Sequence, residues 1–352
     1  MKMFVLMILA AKKIDINFVP MKYSIFLLAV FFFSCSSSDN TILVTNSGEA
    51  QGSYYHIKYM SANGDNYKSQ IDSILLEVDS SLSIYKDYSL ISKLNNGESL
   101  KTDSLFNQVF NAANKVYQQT EGNFDCSVRP LVNAWGFYKD KLGDSLVVDS
   151  LKFRNILKNV GYSKIILFED SLILPKGMSL DFNAIAQGFT VDVIGKFLES
   201  KNIKNYLVEV GGELLAKGKN ADGNIWRVGV DKPSEDIDVN ERFQFILDLE
   251  NKALATSGNY RKFYEKDGVK YSHTINPFSG FPAENRLLSA TVIHDNCMLA
   301  DAYATAFMVM GVKKSKQFVK LHPEVEVYLV YTGKDGSWKT YISTEMQKRT
   351  VN

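Results

Sequence analysis

Apolar residues at Ile71, Ile74, Leu75, Val78 and Leu82 recur three and four positions apart, which predicts an amphipathic helix over 67–85. Similar spacing predicts helices over 103–117, where Asp103 is placed to cap the first turn, and over 151–160, 183–200, 298–310 and 313–321. Short β-rich runs predict strands over 52–60, 206–210, 213–218, 226–230, 243–249, 253–257, 272–275, 288–293, 325–331 and 338–342. Residues 164–168 and 171–174 read as a hairpin turning at Glu169-Asp170. Strand pairs joined by short turns and interspersed with helices predict an α+β fold. The expectation is a single large mixed domain, mostly antiparallel sheet with packed helices, rather than a doubly wound parallel one.

The first fifty residues read differently. Apolar stretches over 3–11 and 23–33 are each about ten residues long, well short of the roughly 20 that cross a bilayer as a helix. The second follows Met21-Lys22 and runs into Ser34-Cys35 and a Ser-rich segment, which resembles a bacterial lipoprotein signal. Phe32 departs from that pattern, which prefers an aliphatic residue there. The expected organisation is a signal peptide over 1–34 starting at Met1 or Met21, lipid on Cys35, a flexible tether over 35–50 and a folded domain over 51–345. That organisation implies an extracytoplasmic protein, lipid-anchored to the bacterial cell membrane.

Composition narrows the function. The 352 residues carry 40 basic and 39 acidic side chains, and the resulting net charge of +1 lacks the basic excess of a general nucleic-acid binder. A 45% hydrophobic content excludes a disordered chain. Three cysteines without a CxxC spacing suggest neither a disulfide scaffold nor zinc, and Cys126 and Cys297 are expected to stay unpaired.

Polar chemistry concentrates in three segments. Asp181 precedes the helix over 183–200, where it reads either as an N-cap or as part of an anion-attracting helix start. Gly211-Gly212 closes a buried strand; paired glycines suit a tight turn or a close backbone approach to a ligand. In the third segment His273 lies beside an Asn-Pro and Ser-Gly turn, and Asp301 and Thr305 share one face of an apolar helix. An acid there is costly unless it is paired or bound to a cation, and two hard oxygens suit Mg²⁺.

Taken in order, Asp181–Gly188, Gly211-Gly212, Ser257-Gly258-Asn259-Tyr260, Ser272–Pro277 and Ala300–Ala306 resemble the FAD:protein FMN transferase family, the ApbE-type flavin transferases. Gln51–Tyr55, Ser83-Ile84-Tyr85, Ser92–Asn95, Gly122–Asp125 and Arg129–Phe137 extend the likeness upstream. The resemblance implies an ApbE-like fold. It also implies Mg²⁺-dependent transfer of the FMN half of FAD to a Thr or Ser hydroxyl of a target flavoprotein, with release of AMP. It assigns Ala184, Asp301 and Thr305 to the metal, and His273 to the reacting phosphate as the catalytic base. It places Gln51, Tyr85, Glu121, Gly122, Asn123, Asp181, Gln187, His273, Thr274 and Ile275 against FAD. Gln187 stands where many members carry Lys, and Cys126 where many carry Pro. Hydrolysis of FAD to FMN and AMP, and a non-catalytic flavin-binding lipoprotein, are the alternatives.

Overall fold

The computed structural model describes residues 41–137, 150–232, 243–259, 263–266, 269–272 and 274–351. The chain begins with the hairpin β1 (Ile42–Ala50) and β2 (Ser53–Ser61), followed by helices α1 (Lys68–Leu82), α2 (Leu90–Asn95), α3 (Ser104–Gln119), α4 (Arg129–Trp135) and α5 (Ser150–Leu157). A small hairpin, β3 (Ile166–Phe168) and β4 (Ser171–Ile173), leads to α6 (Ala186–Ser200). Strands β5 (Tyr206–Val210), β6 (Glu213–Lys217), β7 (Trp226–Asp231), β8 (Phe243–Leu249), β9 (Ala253–Gly258), β10 (Phe263–Lys266), β11 (Val269–Ser272) and β12 (Leu287–His294) precede α7 (Cys297–Leu321). The chain closes with β13 (Glu326–Thr332), β14 (Trp338–Ile342), α8 (Thr344–Gln347) and β15 (Thr350–Val351).

Eight strands form one sheet in the order β1-β2-β5-β6-β9-β12-β13-β14, with antiparallel pairing throughout. Strand alternation divides its side chains between two cores. Ala255, Ala290, Val292, Val327 and Leu329 pack with helices α1, α3, α6 and α7. Leu214, Leu254, Tyr328 and Val330 face the other way, onto the three-stranded sheet β15-β8-β7. The α+β expectation therefore holds, with the large sheet sandwiched between a helical layer and a smaller sheet.

The helices follow their apolar spacing. In α3, Phe106, Val109, Phe110, Ala113 and Val116 are buried, and the Asp103 carboxylate accepts from Phe106 N at 2.7 Å as the expected cap. Burying each large side chain contributes about 1.5–3 kcal/mol. The predicted helices over 298–310 and 313–321 join end to end as α7, broken at Gly311 (φ 69°, ψ 173°). The Asn285 amide donates to the Met308 carbonyl at 2.7 Å beside the break, satisfying an acceptor the interrupted ladder would leave bare.

Three expectations need correction. The tether expected over 35–50 does not include 42–50, which form an edge strand whose inward positions include Val44 and Asn46, while the signal peptide expected over 1–34 and residues 35–40 lie outside the described residues. The domain runs past 345, because β15 pairs with β8 and Arg349 makes a two-pronged ion pair with buried Glu326. The strand expected over 272–275 lies earlier, as β11, and Ile275 makes an isolated bridge to Pro282.

Candidate active site

Strand β6 pairs with β9 only through Leu214–Leu254 and Leu215–Ala253, so residues 256–258 of β9 run on beyond the end of β6. The turn that ends the β5–β6 hairpin, Gly211-Gly212, lies at this gap with φ 68° and 109°, values that L side chains rarely adopt. A Cβ on Gly211 would lie 2.3 Å from Gln187 Nε2, so the first residues of α6 approach the turn through the missing side chain.

The loop leading into α6 is held at both ends. Asn95 grips Leu180 through two bonds, accepting from its N–H at 2.7 Å and donating to its carbonyl at 2.8 Å. Asp181 N donates to the Cys126 carbonyl at 2.8 Å. The Asp181 carboxylate accepts from Asn183 N at 2.8 Å, so it closes its own turn. The N-cap expectation for Asp181 is therefore corrected: helical geometry starts at Ala186 after Ile185.

The carboxylate that meets the start of α6 comes from α7. Asp301 Oδ2 accepts from Gly188 N at 3.1 Å. With Gly188 N directed there, the Ala184 carbonyl takes no backbone hydrogen bond among the described residues and remains available as an acceptor. Glycine is required at 188 by space: a Cβ would lie 2.4 Å from the Cys297 carbonyl oxygen. One turn beyond Asp301, the Thr305 hydroxyl lies 2.9 Å from that of Ser257, on the end of β9 that runs beyond β6.

Asp301 is buried, its carboxylate accepting a single hydrogen bond among the described residues, and desolvation pushes its pKa up to about 7. Asp192, also buried, is raised to about 6 by desolvation, opposed by the N–H groups of Met298 and Cys297. A raised carboxyl pKa stabilises the fold at low pH, and that contribution is lost as pH rises through the folded value. Half-buried His294, whose pKa desolvation lowers from 6.5, acts in the opposite direction below that value. Metal-free protein is therefore expected to lose about 2 kcal/mol more stability than its Asp301→Asn variant between pH 5.5 and 8. Urea melts of both proteins at the two pH values measure this, and parallel curves would refute it.

A cleft of about 2000 Å³ contains this constellation, twice the upper end of ordinary small-molecule pockets. Gln51, Tyr85, Asn123, Asp181, Ala184, Gln187, Thr274, Ile275, Asp301 and Thr305 all line it. Gln51 and Gly52, both at positive φ, turn β1 into β2, and Gln51 Nε2 donates to Thr190 Oγ1 at 2.8 Å. Its Oε1 is buried with no partner among the described residues. The Tyr85 side chain is largely exposed, its hydroxyl accepting from Asn183 at 3.0 Å; partial desolvation of the hydroxyl end, and then the nearby Asp181 charge, raise its pKa. Glu121 and Gly122 form the positive-φ turn after α3 but are not among the lining residues, so only Asn123 of that stretch reaches the cleft. His273 and Cys35 lie outside the described residues. Ser257, Asn95 and Gly188 belong to the sequence pattern, which gives them no role. The signal for Gly188 was a glycine in the first turn of a helix, where nothing local demands one.

The three segments thus converge on one cleft in the order and spacing that the sequence pattern required, and the sequence pattern of the ApbE family matches residues 51–329. The chain belongs to the ApbE family. It is 36% identical over 309 residues to an FAD:protein FMN transferase of Vibrio cholerae, covering 86% of this chain and 91% of that one. It is 32% identical over 326 residues to the Haemophilus influenzae protein of the same name, covering 88% and 92%. Among solved structures it resembles the flavin transferase ApbE from Vibrio cholerae, with TM-score 0.78 and 33% identity over 88% of this chain and 99% of that one. The apo flavinyl transferase ApbE from Pseudomonas stutzeri also gives a TM-score of 0.78, at 28% identity over 88% and 97%. No helix among the described residues is long and apolar enough to cross a membrane.

Proposed function

We propose the following chemistry for this FAD:protein FMN transferase: Mg²⁺-dependent transfer of FMN from FAD to a Thr or Ser hydroxyl of an extracytoplasmic flavoprotein, giving a phosphoester and AMP. The observation that carries the metal is electrostatic. Among the described residues, seven acidic side chains line the cleft against Lys86 and Arg227. An anionic pyrophosphate entering such a cleft needs a cation, and Gln187 supplies none. Among the described residues no three of His, Cys, Asp and Glu cluster, which argues against a self-sufficient protein cage. The Asp301 carboxylate, the Thr305 hydroxyl and the Ala184 carbonyl suit a hard ion that uses one carboxylate and completes its shell with water and phosphate oxygens. When bound there, Mg²⁺ supplies positive charge to the pyrophosphate oxygens.

The protein's own groups do the rest. The close approach of Gln187 to Gly211 and the Asn95 clasp on Leu180 would hold the loop before α6 and the Gly211-Gly212 turn rigid beside the substrate. Tyr85 offers an exposed ring for stacking on one end of FAD. Gln51 Oε1 offers a desolvated acceptor to a ligand N–H or O–H. An imidazole nitrogen of His273 takes the acceptor hydroxyl's proton. That oxygen bonds the FMN phosphorus, and the bond from phosphorus to the AMP oxygen breaks. Lipid on Cys35 places the enzyme at the membrane surface beside its targets.

The deciding experiment incubates the protein with FAD, Mg²⁺ and a co-expressed candidate flavoprotein, then weighs the flavoprotein. One Thr or Ser gaining an FMN residue supports transfer. Free FMN and AMP, made equally with and without the flavoprotein, would instead mark a hydrolase. Thr305→Val, which keeps shape but removes the oxygen, is expected to raise the Mg²⁺ needed for half-maximal rate by about tenfold. Thr305→Ser should restore it, and a Mg²⁺ titration of all three proteins checks this.

A further inference from the structure

The two helices that frame the cation site cap each other. Asp301 of α7 accepts from Gly188 N, in the first turn of α6. One turn along α6, Asp192 reaches back to the start of α7, where Oδ1 accepts from Cys297 N and Oδ2 from Met298 N, both at 2.9 Å. Between these bonds the helices touch backbone to side-chain-free backbone, with the Cys297 carbonyl filling the space a Cβ on Gly188 would occupy.

Asp192 is not needed to start α7. Asn296 is already its N-cap, accepting from Leu299 N at 2.9 Å. Asn296 belongs to the same segment as the helix and fixes nothing relative to α6. Asp192 comes from the other helix, and both its oxygens are committed although it is 6% exposed. Such a bond pair costs desolvation of a carboxylate and adds no new helix. Its structural consequence is location: it fixes where α7 begins against α6, and so where Asp301, one turn further along, stands relative to the Ala184 carbonyl.

We infer that Asp192 is a positioning residue for the divalent-cation site, holding Asp301 in register with the loop before α6 through the first two N–H groups of α7. This rests on the flavin-transfer reading with its cation. Asparagine at 192 offers one acceptor and turns a donor toward the other N–H, loosening the register without emptying the space.

Mn²⁺ serves as the probe, its free concentration read by electron paramagnetic resonance in the presence of FAD. Asp192→Asn is expected to weaken Mn²⁺ binding about tenfold, the lower end of what outer-sphere changes do to metal sites. Asn296→Ala, which removes a cap of the same helix, is expected to lower the melting temperature while leaving Mn²⁺ affinity within about twofold. Transfer by Asp192→Asn should recover toward the wild-type rate when Mn²⁺ is raised about tenfold, which a general loss of structure would not allow. Should the asparagine variant fail to fold, Asp192→Ser, smaller and keeping one acceptor, takes its place with the same expectation. Mn²⁺ affinity unchanged in the Asp192 variants, or weakened equally by Asn296→Ala, would overturn the inference. A wild-type protein that binds no Mn²⁺ with FAD, or transfers no FMN, would instead overturn the underlying functional reading.

Discussion

Asp301→Asn is expected to lower FMN transfer by about a thousandfold while leaving the protein folded. The change keeps the shape of the side chain and its bond from Gly188 N but removes the charge from the only carboxylate among the three proposed ligands. A bound cation is worth several kcal/mol at a reacting phosphate, and each 1.36 kcal/mol is about a factor of ten in rate. Because burial already pushes this carboxyl up to about 7, the neutral amide should sit there at little cost to stability and even relieve strain at alkaline pH. Single-turnover measurement with FAD and acceptor decides it: transfer within tenfold of wild type would remove Asp301 from the site.

The largest structural effect should come from Gly188→Ala. One methyl group added there meets the Cys297 carbonyl at 2.4 Å and the Asp301 Cβ at 2.9 Å, and a carbonyl in a helix cannot rotate away. The helices must part by a fraction of an ångström or more. Overpacking of this kind costs about 1–3 kcal/mol, which for a chain of this size lowers the melting temperature by about 5 °C. Activity should fall further than stability, since the same shift draws Asp301 away from the loop before α6. A melting scan paired with a rate measurement reads both, and a variant with wild-type values for each would show that the helix crossing tolerates a side chain.

Periodicity located the long helices and the central strands because their buried faces are apolar. It failed where burial is not apolar. The inward row of β1 includes Val44 and Asn46, and an asparagine at 3% exposure gives no alternation to detect. The turn-rich stretch after α3 hides α4, seven residues long with Pro130 in its first turn, too short for a repeat to register. At the site, the chemistry-bearing residues were legible through the resemblance, while their physical partners were not. Asp181 looked like a cap because it precedes a helix, but the N–H group that needs capping is met from 113 residues away. A long-range bond of this kind leaves no local mark. Asn95 and Asp192 fall in the same class, each a single polar residue whose partner is another segment's backbone.

The first strand has a consequence for reach. The first described strand starts at Ile42, seven positions after Cys35, and seven residues span at most about 25 Å. On the proposed reading that Cys35 carries lipid, an enzyme moored so closely would not sample much of the surrounding compartment. Its acceptors would then have to present their hydroxyls within one protein diameter of the bilayer, and geometry would favour membrane-seated flavoproteins before any side chain recognised them.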